Sequence, residues 1–242
     1  MTVYRNAQFG MSAPETYGTA ATIDRLMPYI GDLDFDWEPN DQMSEVIEPG
    51  AVANASASYR PTESGTGTYN AEMKAKGFGR ILKGAFGNGV STLVSGGVYQ
   101  QNFTLNNTST VFDAFTMQAV RKLVDGTDDV HTFIGTAIKS VEFSMDNAGV
   151  LKVAFELLAR TMSTAIAKAS LTAITANRFT FAGFSIATGT LTEPTTRVLG
   201  SCATALDGIR SWSLKVENNI VEDDYRANGA GLMSQPSVLQ RT

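Results

Sequence analysis

The clearest pattern in the chain is an alternation of apolar and polar positions on either side of one turn. Val141, Phe143 and Met145 share one face of the first run; Leu151, Val153, Phe155 and Leu157 share one face of the second. Asp146-Asn147-Ala148-Gly149 lies between them and supplies turn chemistry. A period of two around such a turn predicts a β-hairpin over residues 138–158. Leu33-Asp34-Phe35-Asp36-Trp37 alternates in the same way. So do residues 67–76, where Tyr69, Ala71, Met73 and Ala75 oppose Asn70, Glu72 and Lys74. Further strands are predicted over residues 98–105, 112–120, 179–186 and 209–216.

One stretch has a different period. Phe78, Ile81, Leu82 and Ala85 follow the i, i+3, i+4, i+7 rule for a single buried helical face, with Arg80 and Lys83 outside it. Gly77 and Gly87 bound the segment. Burying the three large side chains contributes about 1.5–3 kcal/mol each, so this is a packing helix. Its glycines do not make a phosphate loop. Gly79 and Gly84 have the P-loop spacing, but Ala85 and Phe86 stand where Lys and Ser or Thr are needed. The dinucleotide pattern fails at Leu82, which replaces its third glycine.

Elsewhere the periodicity lapses. Residues 1–30 read as an irregular N-terminal arm ending near Pro28, and residues 31–242 as one β domain. Residues 38–61 are polar and acidic, with Pro39, Pro49 and Gly50, and predict a long loop. Residues 160–176, rich in Ala, Thr and Ser, fit a short helix or a loop. Residues 237–242 read as a strand cut short, so the C-terminal end is expected to be incomplete. The sum is a mainly β, antiparallel protein with one short α-helix and long loops.

Composition narrows the function. Charged residues make up only 18% of the 242-residue chain, while small polar and small apolar residues abound, which favours strands and turns. A net charge of −5 argues against tight binding to nucleic acid phosphates. The single cysteine, Cys202, permits no intramolecular disulfide. The start, MTVYRNAQFG, has no apolar signal core, and no apolar run reaches membrane-spanning length. No membrane insertion is expected.

Candidate chemistry is thin. His131 stands beside Asp128 and Asp129 without further His or Cys ligands for zinc. Cys202 has no histidine near it in sequence. Asp32, Asp34 and Asp36, like Asp125, Asp128 and Asp129, do not follow the calcium-loop spacing. No enzyme activity, cofactor or metal is expected.

Several segments together resemble one family. The run Gly77-Phe78-Gly79-Arg80-Ile81-Leu82-Lys83-Gly84-Ala85-Phe86-Gly87 is similar to the strand–helix element of the tail tube proteins of long-tailed, siphovirus-like phages. Residues 97–105, 141–153, 179–183 and 213–219 follow in that family's order, so the likeness covers roughly residues 66–220. The resemblance implies a β-sandwich or barrel of the tail-tube type with a flanking helix. It implies a structural virion protein whose hexameric rings stack into the tube that delivers DNA. Assembly in the host cytoplasm would place it in the virion tail. Partners would be further copies of itself, a tape measure protein and a tail terminator, with DNA passing unbound. A type VI secretion-like tube protein and a β-sandwich ligand-binding module are the alternatives. Within the family reading, the hairpin at 138–158 is expected in the sheet lining the bore. Glu142, Lys152 and Glu156 would face the lumen or a neighbouring subunit. A charge of −5 per chain gives about −30 per hexamer, and the lumen is expected to be net negative.

Overall fold

The computed structural model describes residues 7–31, 33–43, 58–107, 112–195, 197–226 and 231–237. Among these the chain is mainly β, with one α-helix and antiparallel pairing between all named strands. The expected sandwich is the fold observed; its strands do not close into a barrel.

One strand organises the rest. β8 (Asp128–Met145) runs for 18 residues and belongs to two sheets. Its first half lies between β7 (Phe115–Lys122) and the short β10 (Thr161–Ser163). Its second half lies between β9 (Lys152–Ala159) and β13 (Trp212–Glu217). The changeover falls at Gly135, whose φ of 67° is in the left-handed region that glycine tolerates best. A register shift between Ile138 and Ser140 follows it. Outward from β7, the first sheet continues to β1 (Gln8–Ser12) and β2 (Ile23–Leu26). The second continues from β9 to β4 (Ser58–Glu72) and β3 (Asp34–Met43).

The core joins these sheets through aromatic rings. Phe35 of β3 stacks on Phe133 of β8, with centroids 3.7 Å apart. Tyr69 of β4 lies 5.1 Å from Phe9 of β1 and 5.8 Å from Phe155 of β9. Such pairs add about 0.5–1.5 kcal/mol beyond the area they bury. The Tyr69 hydroxyl donates to the Pro28 carbonyl at 2.6 Å, so the buried phenol is satisfied.

α1 (Gly79–Phe86) packs where the sheets meet. Phe78, Ile81, Leu82 and Ala85 are all buried in the same core. Gly84 lets the helix sit this close: a Cβ there would stand 2.7 Å from the Phe115 ring and 2.9 Å from Ile138 Cδ1. Gly87 ends the helix with φ of 80° and donates its N–H to the Lys83 carbonyl. The chain then makes a separate two-stranded ribbon, β5 (Gly87–Ser95) and β6 (Val98–Leu105). A smaller ribbon, β11 (Ile186–Thr188) with β12 (Thr204–Leu206), follows later.

Several expectations need correction. Residues 1–30 are not an irregular arm throughout, because β1 and β2 belong to the first sheet. β1 was hidden because its last four positions are all buried, which erases the alternation. The long loop is shorter than residues 38–61, since β3 runs to Met43 and β4 begins at Ser58; residues 44–57 lie outside the described residues. Of the two readings of residues 160–176, the loop is the one observed over 164–176, after the short strand β10. The Gln118 amide donates to the Ala167 carbonyl at 3.1 Å and accepts from the Ala169 N–H at 2.9 Å. That segment covers the outer face of the first sheet. Residues 179–186 hold only a bridge from Thr180 to Val150, a 3-10 turn and the start of β11, not one strand. Most of the suspected terminal strand, residues 238–242, lies outside the described residues.

Candidate assembly surface

The second sheet, unlike the first, presents a polar face. Residues directly opposite each other in an antiparallel ladder share a face. Glu142 stands opposite Ala154 on one side and Lys215 on the other. Ser140 stands between Glu156 and Glu217, and Lys152 between Ser144 and Glu72. The row continues across β4 into β3, where Asp34 pairs with Thr68, Asp36 with Thr66 and Glu38 with Ser64. Seven carboxylates (Asp34, Asp36, Glu38, Glu72, Glu142, Glu156, Glu217) therefore share this face with two lysines, Lys152 and Lys215. The opposite face carries Phe35, Tyr69, Val141, Phe155 and Val216, which are buried in the core.

Local pairing tempers the charge without cancelling it. Lys215 lies 2.7 Å from Glu217 and 3.5 Å from Glu156. Those carboxylates, Glu217 first, hold its ammonium above the ordinary lysine value. Arg178 pairs with Glu72, and Arg121 lies 3.7 Å from Asp36. Glu142, Glu156 and Lys152, singled out in the sequence, thus lie on one surface. Glu142 and Glu156 are half-buried and Lys152 is exposed. Their partners Lys215 and Glu217 were missed, as were Asp34, Asp36 and Glu38 as members of the same face. The alternation in each strand was visible, but the register joining the strands was not.

Among the described residues, the edges of this sheet are open: β13 pairs only with β8 and β3 only with β4. An open edge presents unpaired N–H and C=O groups to any chain able to add a strand. Each edge strand also carries a tryptophan whose buried indole N–H has no partner among the described residues, Trp37 on β3 and Trp212 on β13. The Arg60 guanidinium caps the Trp37 ring at 4.5 Å, and Trp212 stacks on Phe184 at 5.2 Å.

Other sites offer little chemistry. His131 Nε2 lies 3.1 Å from Asp129 Oδ1. Among the described residues, no group of three His, Cys, Asp or Glu side chains could hold a metal ion. No helix there is long and apolar enough to cross a membrane.

A family model described as phage tail tube protein matches residues 5–236 of the chain. No curated protein matches it.

Proposed function

Because the chain belongs to the phage tail tube protein family, we propose that six copies close into a ring and that rings stack into the hollow tail tube through which DNA enters the host. The structural role in the tail tube follows from the family itself. The ring, its stacking and the passage of DNA are the proposal. One observation carries it: an acidic sheet face framed by two edge strands that, among the described residues, pair on one side only. β13 of one subunit meets β3 of the next, and closed rotation leaves neither edge of this sheet exposed. The acidic face then lines the bore. Glu142, Glu156 and Lys152 point into the lumen there, not toward a neighbour. Duplex DNA carries one negative charge per about 1.7 Å of axis, so a wall of carboxylates repels it and lets it slide.

Negative-stain microscopy of the purified chain tests this reading. Stacked rings with a central hole are expected. Monomers that never polymerise would overturn it.

A further inference from the structure

The turn between β7 and β8 is apolar where hairpin turns are ordinarily polar. Leu123-Val124-Asp125-Gly126 is closed by the Leu123 N–H donating to the Thr127 carbonyl and the Gly126 N–H donating to the Leu123 carbonyl, each at 3.0 Å. Turns favour Gly, Asn, Asp, Ser and Pro, and the turns at Gly96-Gly97 and at residues 146–149 follow that preference. Here Leu123 is half exposed and Val124 fully exposed. Asp125 sits beside them. Its Oδ1 accepts from both the N–H and the hydroxyl of Thr127, which leaves Oδ2 without a partner among the described residues. Those bonds, the hydroxyl first, hold the Asp125 carboxyl below its ordinary value, so it stays charged. Lys122, the cation beside the turn, is taken up by Asp128 at 3.0 Å. The turn thus presents an apolar pair and one unmatched negative charge.

A groove of complementary character lies at the far end of β8. It measures about 1010 Å³ and opens between residues 73–79, the start of α1 and the tip of the β5–β6 ribbon. Val98 and Tyr99 on its rim are more than half exposed, and Phe179 nearly half. Its charges are Arg25, Lys74 and Lys76; no carboxylate lines it, and among the described residues neither lysine forms an ion pair. The groove therefore joins exposed apolar walls to surplus positive charge.

From this complementarity we infer that the groove receives the 123–126 turn of a second copy of this chain. The turn cannot enter the groove of its own subunit, because β8 holds the two apart. The turn leads into β8 at Asp128. The groove flanks the chain just past the other end, where the Met73 N–H donates to the Leu151 carbonyl and the Leu151 N–H donates to the Phe179 carbonyl. β8 has 18 residues at about 3.3 Å each, so even a right-angle bend at Gly135 leaves its ends about 40 Å apart. A turn at one end and its receptor at the other make a head-to-tail contact, which repeats without closing. In the tube reading, on which this inference rests, strand edges meet within a ring and strand ends face the adjacent rings. The turn of one ring therefore enters the groove of the next. Val124 packs against Tyr99 and Phe179, and Asp125 Oδ2 meets the Lys74 and Lys76 ammonium groups.

Substitutions at the turn test the joint without touching the core. Val124→Asp places a charge at a fully exposed position. Asp125→Asn removes a charge while its amide oxygen can keep both Thr127 bonds. Val124→Asp with Asp125→Asn, and separately the double variant K74E/K76E, should each form rings but lose tubes roughly tenfold in a sedimentation assay, the equivalent of about 1.4 kcal/mol. Variants that make tubes like the unmodified chain would overturn the inference alone, as would variants that lose rings and tubes together. An unmodified chain that makes neither rings nor tubes would overturn the tube reading with it. A second measurement does not depend on weakened assembly: Val124→Cys with Tyr99→Cys, in a Cys202→Ala background. Oxidised tubes should yield a ladder of disulfide-linked copies. Tubes without that ladder would also refute the joint.

Discussion

Asn218 fastens the edge strand β13 to β8: its Nδ2 donates to the Ile138 carbonyl at 2.6 Å, and its backbone N–H donates to the Lys139 carbonyl at 2.8 Å. Both acceptors lie where the β8–β9 register slips, so the ladder leaves them available. The side chain is fully buried. Asn218→Ala strands one buried carbonyl, a loss of about 1–3 kcal/mol. Hydrogen exchange should show residues 212–217 opening far more readily while β9 stays protected. Equal protection of both strands would refute this role for Asn218.

Gly84 sets the height of α1 above the sheets. Gly84→Val would drive branched carbons into the Phe115 ring and Ile138, each of which lies under 3 Å from where even a first side-chain carbon would sit. Overpacking of this kind costs about 1–3 kcal/mol. The urea midpoint should fall accordingly. Gly84→Ala should fall less, and a Val variant as stable as the unmodified chain would contradict the close approach.

Glu15 gives the fold a pH dependence. Its carboxylate accepts from Thr116 Oγ1 at 2.5 Å and from the Gly135 N–H at 3.1 Å. Burial outweighs these bonds and raises its pKa above the ordinary value. The folded chain therefore holds the Glu15 proton more tightly than the unfolded chain does. The resulting stabilisation is complete below the ordinary carboxylate range and lost as pH rises through the raised value. Unfolding titrations should show the unmodified chain losing stability relative to Glu15→Gln as pH rises out of the ordinary carboxylate range. A constant gap between the two would exclude Glu15 as the source.

The charge of the sheet face can be reversed with little harm to the fold. Glu142→Lys with Glu156→Lys removes a 3.5 Å contact from Glu156 to the half-exposed Lys215 and sets a lysine opposite it at 142, exposed changes that cost about 1 kcal/mol each at most. Tubes of this variant should retain duplex DNA in a salt-dependent manner, while unmodified tubes should not. Equal retention by both would place these residues away from the passage.

The parts legible in the sequence were those with a short-range signature. The 138–158 hairpin announced itself by alternation and turn residues, and the structure pairs Ser144 with Lys152 across it. Phe78, Ile81, Leu82 and Ala85 announced a helix by spacing, and all four are buried. Long-range arrangement left no such trace. β1 is covered on both faces, so Phe9, Gly10 and Met11 carry no alternation. Residues 58–61 read as loop because they lack alternation, yet Ser58 and Tyr59 pair with Met43 and Gln42 of β3. The charged face was legible residue by residue. Its extent was not, because Lys215 joins Glu142 across 73 positions of sequence only through register.

β8 gives the subunit a mechanical property as well as a shape. Because one unbroken backbone runs through both sheets, a pull on either sheet is carried by covalent bonds across the boundary at Gly135. The packed aromatic side chains at that boundary then need resist only bending.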